Sequence, residues 1–319
     1  QPWSSFRSSY CISKRQRRGR FIRRCFVATI YKDDSQQAVP YRRVIMASPT
    51  IKTPLRYPGG KSKVAKTLVN KFPFEIDEYR EPFIGGGSVA LEFAQRYPNV
   101  PIWINDKYEH LYHFWVNVQS NSENLFDFLV AAKEKNNNED KARKLFNESK
   151  EQIRTEKDSF KRACLFWILN KCSYSGLTEN SKFSPTASNQ NFTTKNARKI
   201  LNVSKIIKNW GITNYDYSVL MQKNGTNTFL FLDPPYKIKS NLYGKDGEHH
   251  ESFSHEQFIE QCKKCNHNWI VTYNNDETLK MGYEGFYLDE LKMTYTFQRG
   301  KTKELVVSNY KHKSTDTLF

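Results

Sequence analysis

The stretch "YREPFIGGGSVALEF", residues 79–93, begins like the end of a strand, runs through three glycines and closes in an apolar segment with helical spacing. Glycine allows a sharp turn and the close approach of a ligand, and the first turn of a helix offers free N–H groups. The spacing differs from the dinucleotide fingerprint, because a larger residue stands three positions after the second glycine. We predict a strand, a glycine loop and a helix, with the loop either binding a ligand or only packing tightly.

The next segment, "PIWINDKYEHLYHFW" at residues 101–115, predicts a second strand that ends at Asp106, followed by another helix. A strand, a helix and a second strand in this order indicate a parallel sheet. A carboxylate at the tip of the second strand can accept hydrogen bonds from both hydroxyls of a ribose. Asp106 could equally cap the helix that starts at Lys107, and one residue can serve both purposes.

The stretch "TFLFLDPPY", residues 228–236, runs from an apolar strand into an acidic and prolyl turn. The turn can direct the carboxylate of Asp233 and the carbonyl of Pro234 into one cleft, while Tyr236 supplies a flat aromatic face. Two acceptors beside an aromatic ring suit the exocyclic amino group of a planar base. A turn with no such role remains the alternative reading of this tetrapeptide.

The rest of the chain favours an α/β fold. Apolar residues at helical spacing in the charged segment 121–163 predict helices outside the sheet. Residues 162–194 begin as a buried helix and then become rich in Ser, Thr and Asn, which is typical of a loop-rich insertion. Further elements are expected as a helix over 62–70 and strands near 227–236, 267–276 and 301–310.

The composition narrows the class of protein. Hydrophobic residues make up 38% of the 319 residues, and the net charge is +17, with basic residues in excess both in the first 45 residues and in the remainder. A polyanionic partner is favoured, although a basic surface can also serve solubility alone. The sequence contains neither an apolar run of about 20 residues nor a secretory signal, so we expect a soluble cytoplasmic protein that does not enter a membrane.

The six cysteines do not suggest a disulfide scaffold, and we expect reduced thiols. Cys262 and Cys265, with His267 nearby, lack a second ligand pair and lie in a helical pattern, so we expect no metal there. The polar, glycine-containing segment 243–253 includes His249 and His250, and His255 follows it. We interpret the segment as a mobile loop over the substrate rather than a metal site.

Six stretches occur in the order "PLRYPGGK", "EPFIGGGS", "IND", "SYSGL", "FLDPPY" and "KELVVSNY". Their order resembles the DNA adenine N6-methyltransferases of the Dam family, the D12 class with phage-like members, over roughly residues 52–311. The resemblance implies a Rossmann-like, S-adenosylmethionine-dependent methyltransferase sheet with a helical target-recognition insertion.

The resemblance also implies a division of the chain. Residues 51–120 and 221–319 would form the catalytic domain, and residues 121–220 the helical and loop-rich recognition domain. Residues 1–50 would be a poorly ordered basic extension, because Met46 begins a stretch that reads like a natural start. Its arginines would also suit a targeting segment or a nucleic-acid arm.

Site residues follow from the matching positions. The resemblance implies that the adenine is held by three catalytic residues, Asp233, Pro234 and Tyr236. Glu304 and residues 309–310 match the family's last strand and are expected to be structural. The methyl donor would be surrounded by Tyr57, Lys61, Phe83, Gly85, Gly87, Asp106 and Asp233.

Contacts with DNA are expected from two further regions. In "CSYSGLTEN", Tyr174 matches the aromatic residue that fills the vacated position in the duplex. Relatives that read GATC have an arginine where this chain has Thr178 and Glu179, and an acid accepts from cytosine but cannot donate to guanine. GATC recognition is therefore not expected. The predicted DNA-binding residues are Arg56, Tyr174, Ser175, Leu177, Glu179 and Lys237.

These features predict site-specific methylation of the adenine N6 amino group in duplex DNA, by base flipping and direct transfer. A cytosine C5-methyltransferase is excluded because none of the prolines precedes a cysteine nucleophile. Methylation of RNA and a nucleic-acid-binding protein without catalysis are the alternatives. We expect a monomer or weak dimer. The target sequence and the biological role, as a restriction partner, in phage self-protection or in regulation, stay open.

Overall fold

The computed structural model of the protein describes residues 50–236, 253–294 and 301–312. Its strands are β1 (Glu78–Glu81), β2 (Ile102–Asn105), β3 (Gly211–Thr213), β4 (Thr228–Leu232), β5 (Asn268–Asn274), β6 (Tyr287–Thr294) and β7 (Lys301–Ser308). Its helices are α1 (Ala65–Val69), α2 (Ser88–Arg96), α3 (Glu109–Ser120), α4 (Ser122–Lys135), α5 (Glu139–Gln152), α6 (Ser159–Cys172), α7 (Pro185–Asn191), α8 (Thr194–Ile207), α9 (Tyr217–Gln222), α10 (His255–Lys264) and α11 (Glu277–Gly282).

The strands form one sheet in the order β3-β2-β1-β4-β5-β7-β6. The five strands from β3 to β5 are parallel, and β7 runs antiparallel between β5 and β6. From β1 the chain adds β2 on one side, whereas β4 later pairs on the other side. Ligands of open parallel sheets bind at such a reversal, outside the carboxyl ends of the strands. The predicted α/β fold is confirmed.

Strand β4 explains the apolar run that precedes Asp233. Phe229 and Phe231 belong to one hydrophobic cluster, whereas Leu230 and Leu232 belong to another, so successive side chains face opposite sides of the sheet. All five residues of the strand are buried. A parallel strand covered on both faces has no solvent side and therefore shows no polar alternation.

The insertion is more helical than its composition suggests. We predicted that residues after α6 would be loop-rich, but Ser184 caps α7 by accepting from the Ala187 N–H, and Pro185 occupies the first turn. Thr193 caps α8 in the same way through Asn196. Ser, Thr and Pro favour turns in general, yet they also favour helix starts, and here the second role prevails. Strands β3 and β6 were not predicted.

The domain boundaries proposed from the sequence remain predictions. Residues 47–319 form one compact unit, and β3 completes the sheet beside β2 although it falls within the segment 121–220. Every helix among the described residues is too short or too polar to span a bilayer. The extension predicted for residues 1–50 lies outside the described residues, except for Thr50.

Candidate active site

A cavity of about 1400 Å³ opens at the carboxyl ends of the parallel strands. Residues that follow β1, β2 and β4 line it together with the loop before α1. Because parallel strands end at the same edge of a sheet, the topology brings the glycine loop, Asp106 and Asp233 together. We call this space the strand-end cavity.

The glycine loop after β1 forms one wall of the strand-end cavity. Gly85 and Gly87 have φ angles of +46° and +69°, which side chains rarely adopt. A Cβ on Gly85 would lie 2.8 Å from Cε1 of Tyr57, and a Cβ on Gly87 would lie 2.8 Å from Cζ2 of Trp115. The loop therefore needs glycine for its backbone and for close packing. The predicted residue Phe83 lines the same cavity and contacts the ring of Tyr217, at 5.3 Å between centroids.

Asp106 follows β2 and is fixed by two backbone donors. Its carboxylate accepts from the N–H of Gly85 at 2.9 Å and from that of Tyr108 at 3.0 Å. Burial raises the pKa of Asp106 to about 6, and the two backbone hydrogen bonds act in the opposite direction. The predicted helix cap at Asp106 is wrong, because α3 begins at Glu109 and Tyr108 is its N-cap residue, with no side-chain cap bond. The bond from the Tyr108 N–H instead stabilises the turn before α3, and the bond from Gly85 connects the carboxylate to the glycine loop.

Asp233 lies at the end of β4 within a dense set of polar contacts. Lys61 donates to both carboxylate oxygens, at 2.7 and 2.8 Å, and Thr272 of β5 donates to Oδ1 at 2.7 Å. The Asp233 side chain is 21% exposed, whereas that of Lys61 is 2% exposed. The carboxylate is thus partly exposed toward the cavity, and the buried ammonium fixes its orientation through hydrogen bonds to both oxygens.

The side chain of Tyr236 continues this set of contacts. Its hydroxyl accepts from Lys61 at 2.7 Å and donates to Oε1 of Glu304 at 2.6 Å. The Lys61 ammonium also lies 4.9 Å from the centre of the tyrosine ring. Because the hydroxyl both accepts and donates a hydrogen bond, the orientation of the tyrosine ring at the cavity wall is fixed.

Three further polar residues of the site were missed by sequence reasoning. Thr272 holds Asp233, Glu304 holds Tyr236, and Glu81 lies at the end of β1, where it accepts from the Tyr79 hydroxyl at 2.5 Å. Burial raises the pKa of Glu81 well above its ordinary value. An acid in an apolar strand, as in "KELVVS", was the available signal for Glu304, but we interpreted that strand as structural.

We call residues 173–184, between α6 and α7, the insertion loop. Three of its predicted DNA-binding residues, Tyr174, Ser175 and Leu177, line the strand-end cavity, and Tyr174 is 59% exposed. Arg56 donates to the Ser173 carbonyl at 3.0 Å, which joins the loop before α1 to the insertion loop. The structure thus brings four of the predicted DNA contacts to one region. Of the other two candidates, Glu179 is buried and Lys237 lies outside the described residues.

Glu179 has a different environment from the one that base reading requires. It is buried, and its Oε2 accepts from the Tyr108 hydroxyl at 2.6 Å, with Oε1 in contact with the same hydroxyl. Burial, and then the Glu179 charge, raise the pKa of Tyr108 well above its ordinary value. A base contact by Glu179 stays a prediction, and in this conformation the carboxylate joins the insertion loop to the segment between β2 and α3, which contains Asp106 and Tyr108.

The described cysteines Cys164, Cys172, Cys262 and Cys265 are free thiols. Cys262 lies in α10, as its helical pattern predicted, and contacts the Tyr283 hydroxyl. The ranges 50–236, 253–294 and 301–312 contain no group of three or more His, Cys, Asp or Glu side chains suited to a metal ion. His249 and His250 lie outside those ranges, as does most of the predicted mobile loop.

Comparison with known families gives a match over most of the chain. The family described as D12 class N6 adenine-specific DNA methyltransferase matches residues 57–297. The matched range includes the glycine loop, Asp106, the insertion loop and Asp233.

Three curated proteins are similar to the chain. The Type II methyltransferase M.MjaIII of Methanocaldococcus jannaschii is 27% identical over 201 residues, which are 59% of this chain and 70% of the relative. M1.LlaDCHI of Lactococcus lactis subsp. cremoris is 23% identical over 80% of this chain and 94% of its own. M.CviBI of Paramecium bursaria Chlorella virus NC1A is 22% identical over 80% of this chain and 98% of its own. Both are likewise named Type II methyltransferases.

Proposed function

The chain belongs to the D12 class of N6 adenine-specific DNA methyltransferases, and from this premise we propose that it uses S-adenosylmethionine to methylate an adenine flipped out of duplex DNA. That the enzyme methylates adenine in DNA follows from the family; the donor, the duplex substrate and the residue roles are our proposal. One observation carries it: the glycine loop, Asp106 and the Asp233 turn line the same strand-end cavity.

The donor side of the cavity fits a nucleoside. Both hydrogen bonds that fix Asp106 come from backbone N–H groups, and lone pairs of its oxygens remain for the two ribose hydroxyls. Because Gly85 has no side chain, its backbone lies against the ring of Tyr57. A ligand can therefore approach the backbone of the glycine loop closely. Phe83 adds an apolar surface. When bound, S-adenosylmethionine supplies an electrophilic methyl group on a positively charged sulfur.

The base side of the cavity fits the amino group of adenine. The lone pair of this group is delocalised into the ring, so that the amine is a weak nucleophile. We propose that Asp233 and the carbonyl of Pro234 accept its two N–H bonds, which localises the lone pair and directs it toward the methyl group. Lys61 and Thr272 hold Asp233 in place, and Tyr236 stacks on the base.

The insertion loop fits the substrate strand. Tyr174 is exposed beside the cavity, where an aromatic ring can stack at the position that the flipped adenine leaves. Arg56 is held against this loop and can reach a phosphate or a base edge nearby. The names of the curated relatives support a Type II methyltransferase.

Labelled methyl transfer tests this proposal. Wild type, Asp233→Asn and Asp77→Asn are incubated with labelled S-adenosylmethionine and unmethylated duplex DNA, and modified adenines are mapped on single molecules. Asp77 is a matched control because it is exposed just before β1, at the opposite edge of the sheet. We expect Asp233→Asn to lose about 100- to 1000-fold in rate, and Asp77→Asn to match wild type. Full activity in Asp233→Asn, or transfer to RNA but not to DNA, would contradict the proposal.

A further inference from the structure

Glu304 is a buried carboxylic acid of the strand-end cavity to which the proposed methyl transfer assigns no role. It lies on β7 opposite Asn274 of β5 and Leu291 of β6, and its side chain is 1% exposed. Oε1 accepts from Tyr236. Oε2 has no hydrogen-bond partner within the described parts of the chain, and the Lys61 ammonium lies 3.8 Å from it. A buried oxygen without a hydrogen-bond partner reduces the stability of the fold, and such oxygens are rare in native proteins unless they have a functional role.

A continuous line of hydrogen bonds connects Glu304 to the proposed catalytic carboxylate. Lys61 contacts Asp233 at 2.7 Å and the Tyr236 hydroxyl at 2.7 Å, and that hydroxyl contacts Glu304 at 2.6 Å. The third hydrogen of the ammonium goes to the carbonyl of Gly59 at 3.0 Å. Every junction between Asp233 and Glu304 is within hydrogen-bond distance, so that the line can conduct a proton.

Methylation of an amino group releases a proton. A bond forms between the amino nitrogen and the methyl carbon, the carbon–sulfur bond breaks, and its electron pair stays on sulfur. The nitrogen becomes cationic and must lose one of its two hydrogens as a proton. Asp233 accepts that N–H bond in our proposal, but its two oxygens already accept three hydrogen bonds from Lys61 and Thr272. A second acceptor, connected to Asp233 by hydrogen bonds, would complete the reaction.

We propose that Glu304 is the final acceptor of this proton, which reaches it through Asp233, Lys61 and Tyr236. Asp233 takes the proton from the amino nitrogen. Lys61 passes one of its own protons to the oxygen of Tyr236 and regains one from Asp233, while Tyr236 passes its hydroxyl proton to Glu304. Afterwards Glu304 is neutral, the other three groups have their initial protonation, and Glu304 loses its proton to solvent between turnovers.

The surroundings of Glu304 suit this role. Burial raises its pKa to about 7, and the negative charge of Asp233 acts in the same direction. The positive charge of Lys61 and the hydrogen bond from Tyr236 act in the opposite direction, and these three are the described ionisable groups that influence it. An acceptor that titrates near neutral pH is matched to proton transfer at that pH. It accepts only when ionised, so the reaction should slow as the pH falls through about 7.

The relay depends on the proposed function and is tested by single-turnover rates from about pH 5.5 to about pH 9. Wild type is compared with Glu304→Gln, Tyr236→Phe and the control Glu290→Gln. Glu290 is an exposed carboxyl on the neighbouring strand β6, where it pairs with Lys303. We expect Glu304→Gln to be about 100-fold slower than wild type at high pH and to lack the inflection near neutral pH.

Tyr236→Phe separates the relay from base stacking. The ring remains, but the hydroxyl that connects Lys61 with Glu304 is removed. We expect the same loss of the inflection, and we expect the double variant to be no slower than the slower single variant. An unchanged pH profile in Glu304→Gln would overturn the relay. So would a uniform loss of rate at every pH, because it would mean that Glu304 only supports Tyr236.

A titration without DNA gives a second readout. In protein with ¹³C-labelled glutamate carboxyls, one signal should titrate near the pKa of about 7 and be absent from Glu304→Gln. If no such signal exists, the relay is wrong. Failure of the relay differs from failure of the proposed function: wild type that methylates no DNA refutes the latter, whereas methylation that is indifferent to Glu304 refutes only the relay.

Discussion

The strand-end cavity and the insertion loop lie side by side, yet different physical causes fix their residues. Asp106 and Asp233 follow β2 and β4, and the parallel sheet alone brings such positions to one edge. In the insertion loop, by contrast, Ser175 and Thr178 have positive φ angles, and Glu179 is buried. Its geometry depends on local turns and on which side chains fit beneath it. The positions of Asp106 and Asp233 therefore depend on the sheet, whereas the conformation of the insertion loop depends on a few individual side chains.

Gly85→Ala in the cavity wall is expected to cause the largest combined loss of stability and of donor affinity. The new Cβ would lie 2.8 Å from the ring of Tyr57 on a backbone with φ of +46°. We expect about 1–3 kcal/mol less free energy of unfolding from the backbone alone, with weaker S-adenosylmethionine binding in addition. Chemical denaturation and calorimetric titration measure the two effects.

Gly285→Ala is the control for Gly85→Ala. Gly285 has a φ of +87°, but nothing lies within 4 Å of an added Cβ. It should share the backbone penalty and leave donor binding unchanged. Equal donor affinity in both variants would show that the glycine loop does not cradle the donor.

The sequence predicted the fold best where a local pattern of residues determines the local structure. The strand, glycine loop and helix of 79–93 form as predicted, and so does the strand before Asp233. The burial of side chains and their contact partners could not be predicted from the sequence. No local pattern shows that Glu179 contacts Tyr108, which is about 70 residues away. The same holds for Glu304, whose significance comes from Lys61 and Tyr236 across the sheet. The roles of individual site residues remain predictions for the experiments to decide.

Glu179→Gln tests whether the insertion loop is held by Tyr108 or reads DNA. Loss of a hydrogen bond to a buried charge should cost about 1.5–3 kcal/mol of unfolding free energy. Tyr108→Phe removes the same contact, so the two costs should not add in the double variant. If Glu179→Gln instead changes the bases that flank the methylated adenines, the residue reads DNA and the interpretation of the loop is wrong.

Donor binding should depend on pH through Asp106. Ribose hydroxyls need the ionised carboxylate as acceptor, and the pKa of Asp106 is raised to about 6. Affinity for S-adenosylmethionine should therefore fall by up to about tenfold for each pH unit below that value. Asp106→Asn should bind more weakly near neutral pH and show a flatter profile. An unchanged slope in this variant, measured by calorimetric titration, would remove Asp106 from the donor site.

The smallest effect on stability is expected for Tyr174→Ala in the insertion loop. Tyr174 is 59% exposed, so its removal should change the free energy of unfolding by less than about 0.5 kcal/mol. Its proposed role is to stack where the adenine has left the duplex, which is worth about 1–3 kcal/mol in comparable contacts. A mismatch opposite the target adenine reduces the cost of flipping, so the variant should lose less activity on mismatched than on paired DNA. Equal losses on both substrates would mean that Tyr174 contacts the strand without filling the gap. The insertion loop would then only bind DNA and would not stabilise the flipped state.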